Sequence, residues 1–311
     1  MSSITIKQVM LDNNLELVSG ENGLDRLCYE EMISRPGLEL SGVFDYFDPD
    51  RVVFLGSKES DFINKQESTK ANGIIKKIFE YNPPCIIFSV NVEVPQIFID
   101  YGNKYGVCVF KSKMRTTPTS FKLYNYLQEK LAERLSIHGT LVDINRMGTL
   151  IVGKSGIGKS EVTLELINKG HQLISDDLVE IYEREPGVVV GTAPEVLKRY
   201  LEIRGIGIVD VVSLYGARAY SEEDTIDIVV ELVEWDNEVQ FDRLGIETQR
   251  IKYFNTEIPI VQIPVSSGRN IALLVEAAAM NEKLKRLGSF AAQEFIDKVK
   301  QNTSRGGKKN E

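Results

Sequence analysis

One stretch constrains this chain more than any other: Gly153-Lys154-Ser155-Gly156-Ile157-Gly158-Lys159-Ser160, which fits the pattern G-x-x-x-x-G-K-[ST]. Thr149-Leu150-Ile151-Val152 before it is a short apolar run of the kind buried strands use, and Glu161 to Lys169 after it has a helical pattern that stops at Gly170. Strand, glycine loop and helix together give the motif its meaning. The glycines let successive backbone N–H groups face one hollow without a Cβ in the way. The helix N-terminus adds a partial positive charge there. Lys159 then reaches the β- and γ-phosphates, and the Ser160 hydroxyl is placed to ligate Mg²⁺. The plain alternative, a glycine-rich turn ending in Lys-Ser by chance, does not account for the flanking strand and helix.

The chain has 311 residues, enough for two ordinary domains. A net charge of −8 argues against a general nucleic-acid binder, whose footprint is basic. No apolar run approaches the roughly 18 residues of a membrane helix, and Met1 to Lys7 lacks a signal-peptide core. Cys28, Cys85 and Cys108 sit in apolar contexts without metal spacing, so buried free thiols in a reducing cytoplasm are expected. With two histidines and no cysteine cluster, a structural zinc site is not expected.

Residues 1 to about 130 alternate strand-like runs (51–56, 85–90, 105–110) with helical stretches near 60–80 and 95–103, the pattern of an α/β domain. No catalytic cluster is recognisable in them. Ser120 to Ser136 reads as a helix with Phe121, Tyr124, Leu127, Leu131 and Leu135 on one side, and the domain junction is expected along it. The expected division is 1–132, structural or regulatory, and 133–311, catalytic. The second part is strand-rich: runs at 139–144, 149–152, 172–175, 178–182, 187–191, 206–212, 226–233 and 260–264 surround one clear helix, 159–169. A helical stretch from about 270 to 300, with a break at Gly288, closes the chain, and Thr303 to Glu311 reads as a disordered tail.

A phosphate loop needs a partner for its metal and a group to act on the nucleophile. Ser175-Asp176-Asp177 follows the run Gln172-Leu173-Ile174. One of the two carboxylates can hold hydrated Mg²⁺ or orient Lys159, and the other can accept a proton from an attacking hydroxyl. A turn that merely caps the strand is the competing reading. Leu201 to Asp210 carries Glu202, Arg204, Gly205 and Gly207. Glu202 is a candidate second Mg²⁺ ligand and Arg204 a phosphate clamp, set against a surface ion pair before a flexible turn. His138 leads a strand, and imidazole suits proton exchange near neutral pH, although a lone histidine is more often structural. His171 reads as ordinary turn chemistry. Asp242-Arg243-Leu244-Gly245 is a charged turn, and Pro264-Val265-Ser266-Ser267-Gly268-Arg269 is a polar loop opening the last helix. Arg243 and Arg269 can each stabilise a transferring phosphoryl group, although singly each also reads as a solvated arginine.

Taken together these motifs resemble the bifunctional HPr kinase/phosphorylase family of Gram-positive bacteria. The match rests on Ile137-His138-Gly139, the loop 153–160, Ser175-Asp176-Asp177, Leu201 to Gly207, Asp242 to Gly245 and Ile263 to Asn270, with Arg35 to Gly42 in the first half. The resemblance implies ATP- or pyrophosphate-dependent phosphorylation of a regulatory serine on HPr, the phosphocarrier of the sugar phosphotransferase system. It also implies the reverse phosphorolysis, in which inorganic phosphate attacks the phosphoserine and pyrophosphate leaves, and so control of carbon catabolite repression. By resemblance His138, Lys159, Asp177 and Arg243 are active-site residues, Ser160 and Glu202 bind Mg²⁺, residues 201–210 serve both reactions, and 264–269 serve chiefly dephosphorylation. A catalytic domain like that of phosphoenolpyruvate carboxykinase, a hexameric assembly and effector control are likewise implied by the resemblance alone.

Two rivals remain. A regulatory GTPase should carry an Asn-Lys-x-Asp element, but Asn168-Lys169 is followed by Gly170-His171. A P-loop small-metabolite kinase or carboxykinase-like enzyme would differ in having a compact pocket instead of an open edge for a protein serine.

Overall fold

The computed structural model describes residues 2–235, 249–266 and 268–306. Asp242 to Gly245, with Arg243, and also Ser267 lie outside them. The chain divides into two compact units, Met1–Glu133 and Arg134–Glu311.

The first unit is built on a five-stranded sheet in the order Glu16–Ser19, Cys108–Lys111, Cys85–Phe88, Val52–Leu55, Ile33–Ser34. The last four strands run parallel, and Glu16–Ser19 is antiparallel at one edge. Val52–Leu55 and Cys85–Phe88 are buried along their whole length, as strands covered on both faces must be. Alternation then sorts their side chains. Val53, Leu55, Ile86, Phe88 and Val109 join one core with Ile74, Ile75, Ile78 and Phe79 of the helix Ser68–Glu80. Val52, Phe54, Cys85, Ile87, Cys108 and Phe110 join the other, with Leu123, Leu127 and Leu131 of the helix Thr116–Leu131. All three cysteines are buried free thiols.

The second unit contains a six-stranded sheet in the order Gln172–Ser175, Thr140–Asp143, Gly148–Gly153, Ile228–Glu234, Thr256–Val265, Gln249–Tyr253. Gly148–Gly153, Ile228–Glu234 and Thr256–Val265 are parallel to one another. On one face, Val142, Ile151, Val230 and Ile263 pack against Val162 and Leu166 of the helix Lys159–Asn168 and against Ile271, Ala272 and Val275 of the helix Ile271–Arg286. On the other face, Leu141, Leu150 and Val229 meet Val179, Ile181 and Val189 of a four-stranded sheet, ordered Glu223–Thr225, Val188–Thr192, Leu178–Glu185, Arg134–His138. Tyr200–Ile203 and Gly207–Asp210 form a separate hairpin.

Several sequence expectations are corrected. The helix predicted over 120–136 spans Thr116–Leu131 instead. Pro118 falls in its first turn, where its missing N–H costs nothing. Its inward residues are Thr119, Leu123, Leu127 and Leu131, while Phe121 is 65% exposed. Arg134–His138 is a strand paired with Leu178–Tyr182, so Leu135 belongs to a sheet. The stretch near 60–80 is two helices, Ser57–Asn64 and Ser68–Glu80. A short helix, Val211–Tyr215, cuts off the strand predicted over 206–212. The last helix, Ala291–Gly306, covers the beginning of the tail read as disordered.

At the end of the sheet where Gly148 begins its strand, Asp224 lies near Asp143 and Asp227. Burial, then the charge of Asp143, pushes its carboxyl up to about 6. The folded state therefore holds a proton that the unfolded chain releases near pH 4, and stability falls as pH rises from about 4 to 6. Asp224→Asn, which keeps an oxygen to accept from the Thr225 N–H, should raise the melting temperature at pH 7.5 and lose that advantage at pH 4, as thermal unfolding at both pH values will test.

Candidate active site

The loop between Gly153 and Lys159 takes its shape from its glycines. Gly156 and Gly158 have φ of +83° and +105°, the left-handed region that side chains resist. A Cβ on Gly156 would also lie 2.9 Å from a guanidinium nitrogen of Arg204. Lys159 is buried, and its ammonium donates to the carbonyls of Gly153 at 3.0 Å and Lys154 at 3.2 Å. Ile157 packs against the helix-side core. The Lys154 side chain points outward to Glu234, 3.4 Å away.

Asp176 and Asp177 are adjacent in sequence and opposite in environment. Asp177 has φ of +67°, a left-handed conformation that aspartate tolerates better than most residues. The turn leaves Asp176 4% exposed and the Asp177 side chain 65% exposed. Asp176 Oδ1 accepts from the Thr140 hydroxyl at 2.6 Å, and Oδ2 accepts from Ser160 Oγ at 3.1 Å and from the Glu202 backbone N–H at 3.3 Å. Burial raises its carboxyl above the ordinary range, and the hydrogen bonds from Thr140, Ser160 and Glu202 act against that rise.

His138 reaches the exposed carboxylate through sheet register. The antiparallel pairing of Arg134–His138 with Leu178–Tyr182 sets His138 opposite Leu178. Its Nδ1 lies 3.3 Å from Asp177 Oδ1, and the Gly139 N–H donates to the Asp177 carbonyl. The hairpin carries Glu202 and Arg204 to the same place, with Gly205 and Gly207, both at positive φ, forming its turn.

His138, Ser155, Gly156, Gly158, Lys159, Ser160, Glu161, Asp176, Asp177, Glu202 and Arg204 line one cleft. Two contributors were not legible in the sequence, Thr140 and Glu161. Thr140 had a faint signal, a hydroxyl within an otherwise apolar strand. Glu161, Asp176, Asp177 and Glu202 share that cleft with Lys159, Arg204 and His138. Among the described residues no three carboxylate, histidine or cysteine side chains are grouped as a metal site, so a hard cation such as Mg²⁺ would take the Ser160 hydroxyl with one or two of these carboxylates and phosphate oxygens. The arrangement can bind a polyphosphate through the loop and hold a proton acceptor beside it.

The last loop is not among the described residues lining that cleft. Pro264 and Val265 end their strand, and Val265 is in register with Glu234, while Leu232 is in register with Gly153. The three parallel strands therefore end on the same side of the sheet, and two strand spacings, about 10 Å, separate the end of the strand before the last loop from that before the phosphate loop. Arg269 Nη1 donates to the Pro264 carbonyl at 3.2 Å, its backbone N–H to the Ser266 carbonyl, and its guanidinium lies 5.7 Å from the Trp235 ring centre. Gly268, at φ +85°, is part of the turn.

Two family models match the chain. The one described as HPr serine kinase N terminus covers residues 4–127, and the one described as HPr serine kinase C-terminal domain covers residues 129–299. The chain is 43% identical over 299 residues to the HPr kinase/phosphorylase of Bacillus subtilis, covering 96% of each chain. It is 43% identical to that of Geobacillus kaustophilus, covering 95% of each, and 39% identical to that of Levilactobacillus brevis, covering 96% of each. The solved HPr(Ser) kinase/phosphatase of Coxiella burnetii superposes with a TM-score of 0.47 at 33% identity, covering 52% of this chain and 98% of that one. No helix among the described residues is long and apolar enough to cross a membrane.

Removing the Thr140 hydroxyl takes the shortest hydrogen bond from a buried carboxylate. Thr140→Val should cost about 1.5–3 kcal/mol at neutral pH and less at acid pH, because burial raises the Asp176 carboxyl and a neutral carboxyl loses less with that donor. Denaturant unfolding at the two pH values measures the difference.

Proposed function

We propose a function on a premise that the family matches and identities establish: this chain belongs to the HPr serine kinase family. It phosphorylates a regulatory serine of the phosphocarrier protein HPr with ATP, and it runs the reverse phosphorolysis of seryl-phosphorylated HPr in the same site. Pyrophosphate can replace ATP as donor. Catalysis belongs to residues 133–311, and 1–132 is structural or regulatory. A cytoplasmic location, which three buried free thiols support, and a hexameric assembly complete the reading.

The observation that carries this reading is the division of labour between two neighbouring aspartates. Asp176 is buried against the Ser160 hydroxyl, whereas Asp177 stands open to solvent beside His138, in the cleft that Lys159 enters. Ser160, Glu202 and Asp176 would hold Mg²⁺, which neutralises phosphate charge when bound. The loop amides and Lys159 receive the β- and γ-phosphates. Asp177 accepts the seryl proton as the seryl oxygen bonds to the γ-phosphorus and the bond to the β-phosphate oxygen breaks. His138 keeps the Asp177 carboxylate aimed. Arg204 lies over the loop at Gly156, suited to a bidentate grip on the transferring group. Arg243 is assigned to the same charge by the family resemblance.

In reverse, an oxygen of inorganic phosphate bonds to the phosphoserine phosphorus while the bond to the seryl oxygen breaks. Protonated Asp177 gives its proton to that oxygen, and pyrophosphate leaves. Microscopic reversibility makes one carboxyl base and then acid. Residues 264–269 serve chiefly this direction, and their place at the shared sheet edge supports that role.

The deciding experiment mixes the protein with HPr and Mg-ATP, follows seryl-phosphate by mass, then gives the product orthophosphate without ATP and assays pyrophosphate. Transfer followed by release is the expected result. ATP binding without any transfer to HPr would overturn it in favour of a small-metabolite kinase. Asp177→Asn should lower both reactions by about 10²–10⁴-fold while ATP binding persists. Arg269→Ala should slow phosphorolysis more than phosphorylation, and equal losses in initial rates would remove the separate role of the last loop.

A further inference from the structure

The helix that follows the phosphate loop and the helix that follows the last loop are joined at two levels. Asn270 caps the helix Ile271–Arg286, with its Oδ1 accepting from the Leu273 N–H at 2.7 Å. The same side chain turns its Nδ2 to Glu165 Oε1, on the helix Lys159–Asn168, at 2.6 Å. Six residues further along, Glu276 accepts from Lys169 Nζ at 3.1 Å and lies 3.5 Å from Nε2 of the buried His171. From Asn270 to Glu276 the second helix advances six residues, about 9 Å, while from Glu165 to Lys169 the first advances four, about 6 Å, so the two helices run in the same direction between the ties. Between the ties, Leu166 of one helix shares a core with Ile271 and Val275 of the other.

The upper tie has a consequence for the last loop. Residues 266–269 span only the gap between Val265, held in the sheet by its register with Glu234, and Asn270. The upstream anchor is backbone. The downstream anchor is the Asn270 side chain, followed by Ile271 and Ala272 in the core, and the partner of Asn270, Glu165, stands on the helix that Lys159 and Ser160 begin. Arg269 is the residue immediately before that anchor. Any shift of Asn270 relative to Glu165 therefore moves Arg269 relative to the phosphate loop, whereas the loop's own geometry stays set by its glycines and by the Lys159 contacts.

We propose that Glu165 and Asn270 are positioning residues for phosphorolysis: their hydrogen bond fixes the distance between the last loop and the phosphate loop, and so where Arg269 meets the attacking phosphate. This rests on the functional reading above and adds to it a residue pair outside the cleft. Neither side chain touches substrate. The cap and the tie use different atoms of Asn270, which makes them separable.

Asn270→Asp retains the cap, since aspartate is as good a capping residue, and places a second carboxylate against Glu165. It should lower kcat/KM for orthophosphate in phosphorolysis by about tenfold, the scale of a small misplacement of a charged group, with phosphorylation within about twofold of the parent. Asn270→Ser, a capping residue too short to reach Glu165, should act in the same direction. Glu165→Gln keeps the accepting oxygen and should resemble the parent. The pair Glu165→Lys with Asn270→Asp restores the tie as an ion pair and should recover most of the lost phosphorolysis. Equal losses in both reactions, no loss in Asn270→Asp, or no recovery in the double variant would overturn the proposal. Hydrogen exchange at the amides of 266–269 needs no substrate. It should rise in Asn270→Asp and return in the double variant, and unchanged exchange would also overturn the proposal. A parent protein active in neither direction would fail the functional reading instead, and the exchange result would still decide the tie.

Discussion

The second unit hangs on one buried carboxylate. Asp176 receives the Thr140 hydroxyl, the Ser160 hydroxyl and the Glu202 backbone N–H. Those donors come from a central strand, from the first turn of the loop helix and from the separate hairpin. A desolvated carboxylate left with fewer partners is costly, so these elements are held in one mutual arrangement. The same arrangement sets Glu202 and Arg204 over the phosphate loop. Fold and site are thus not separable here: the polar knot that orders the sheet edge is also the floor of the cleft.

Around that knot the architecture works by contrast. A left-handed residue at Asp177 sends two consecutive carboxylates into opposite surroundings, one dry and hydrogen-bonded, one open to solvent beside His138. Phosphoryl transfer asks mainly for charge neutralisation and positioning, and the proposed mechanism gives the first to the buried group and proton movement to the exposed one. Because the two tasks fall to different residues, a reversible reaction does not require one carboxylate to change its environment between directions. The parallel strands add a further economy of placement. Gly148–Gly153, Ile228–Glu234 and Thr256–Val265 end on the same side of the sheet, which brings the residues after Gly153 and Val265 within two strand spacings of each other.

How far the site was legible follows from the range of the interactions involved. The phosphate loop is local: its shape comes from Gly153, Gly156 and Gly158 and the helix that follows, all within a dozen residues. The Ser175-Asp176-Asp177 turn was visible as two carboxylates at a strand end, but which one is buried was open, because the backbone dihedral at Asp177 and the hydroxyl of Thr140 are not written in that turn. The end of the helix was misread for a related reason. Leu127, Leu131 and Leu135 keep helical spacing, and no glycine or proline marks the end of the helix at Leu131. The strand Arg134–His138 exists because Leu178–Tyr182 is there to pair with it, about 40 residues away. That pairing is what delivers His138 to Asp177.

The amino-acid sequence alone determined the phosphate loop, the α/β class, the buried free thiols and the family, because each depends on short-range backbone chemistry or on motifs that stay intact in one dimension. Tertiary structure decided the rest: which aspartate is desolvated, how His138 arrives, that Thr140 supports the site, and that Asn270 ties the last loop to the phosphate-loop helix. Those features arise where strands and helices distant in sequence share a core or a hydrogen bond. Burial and register are properties of the packed chain, and no spacing within a single segment encodes them.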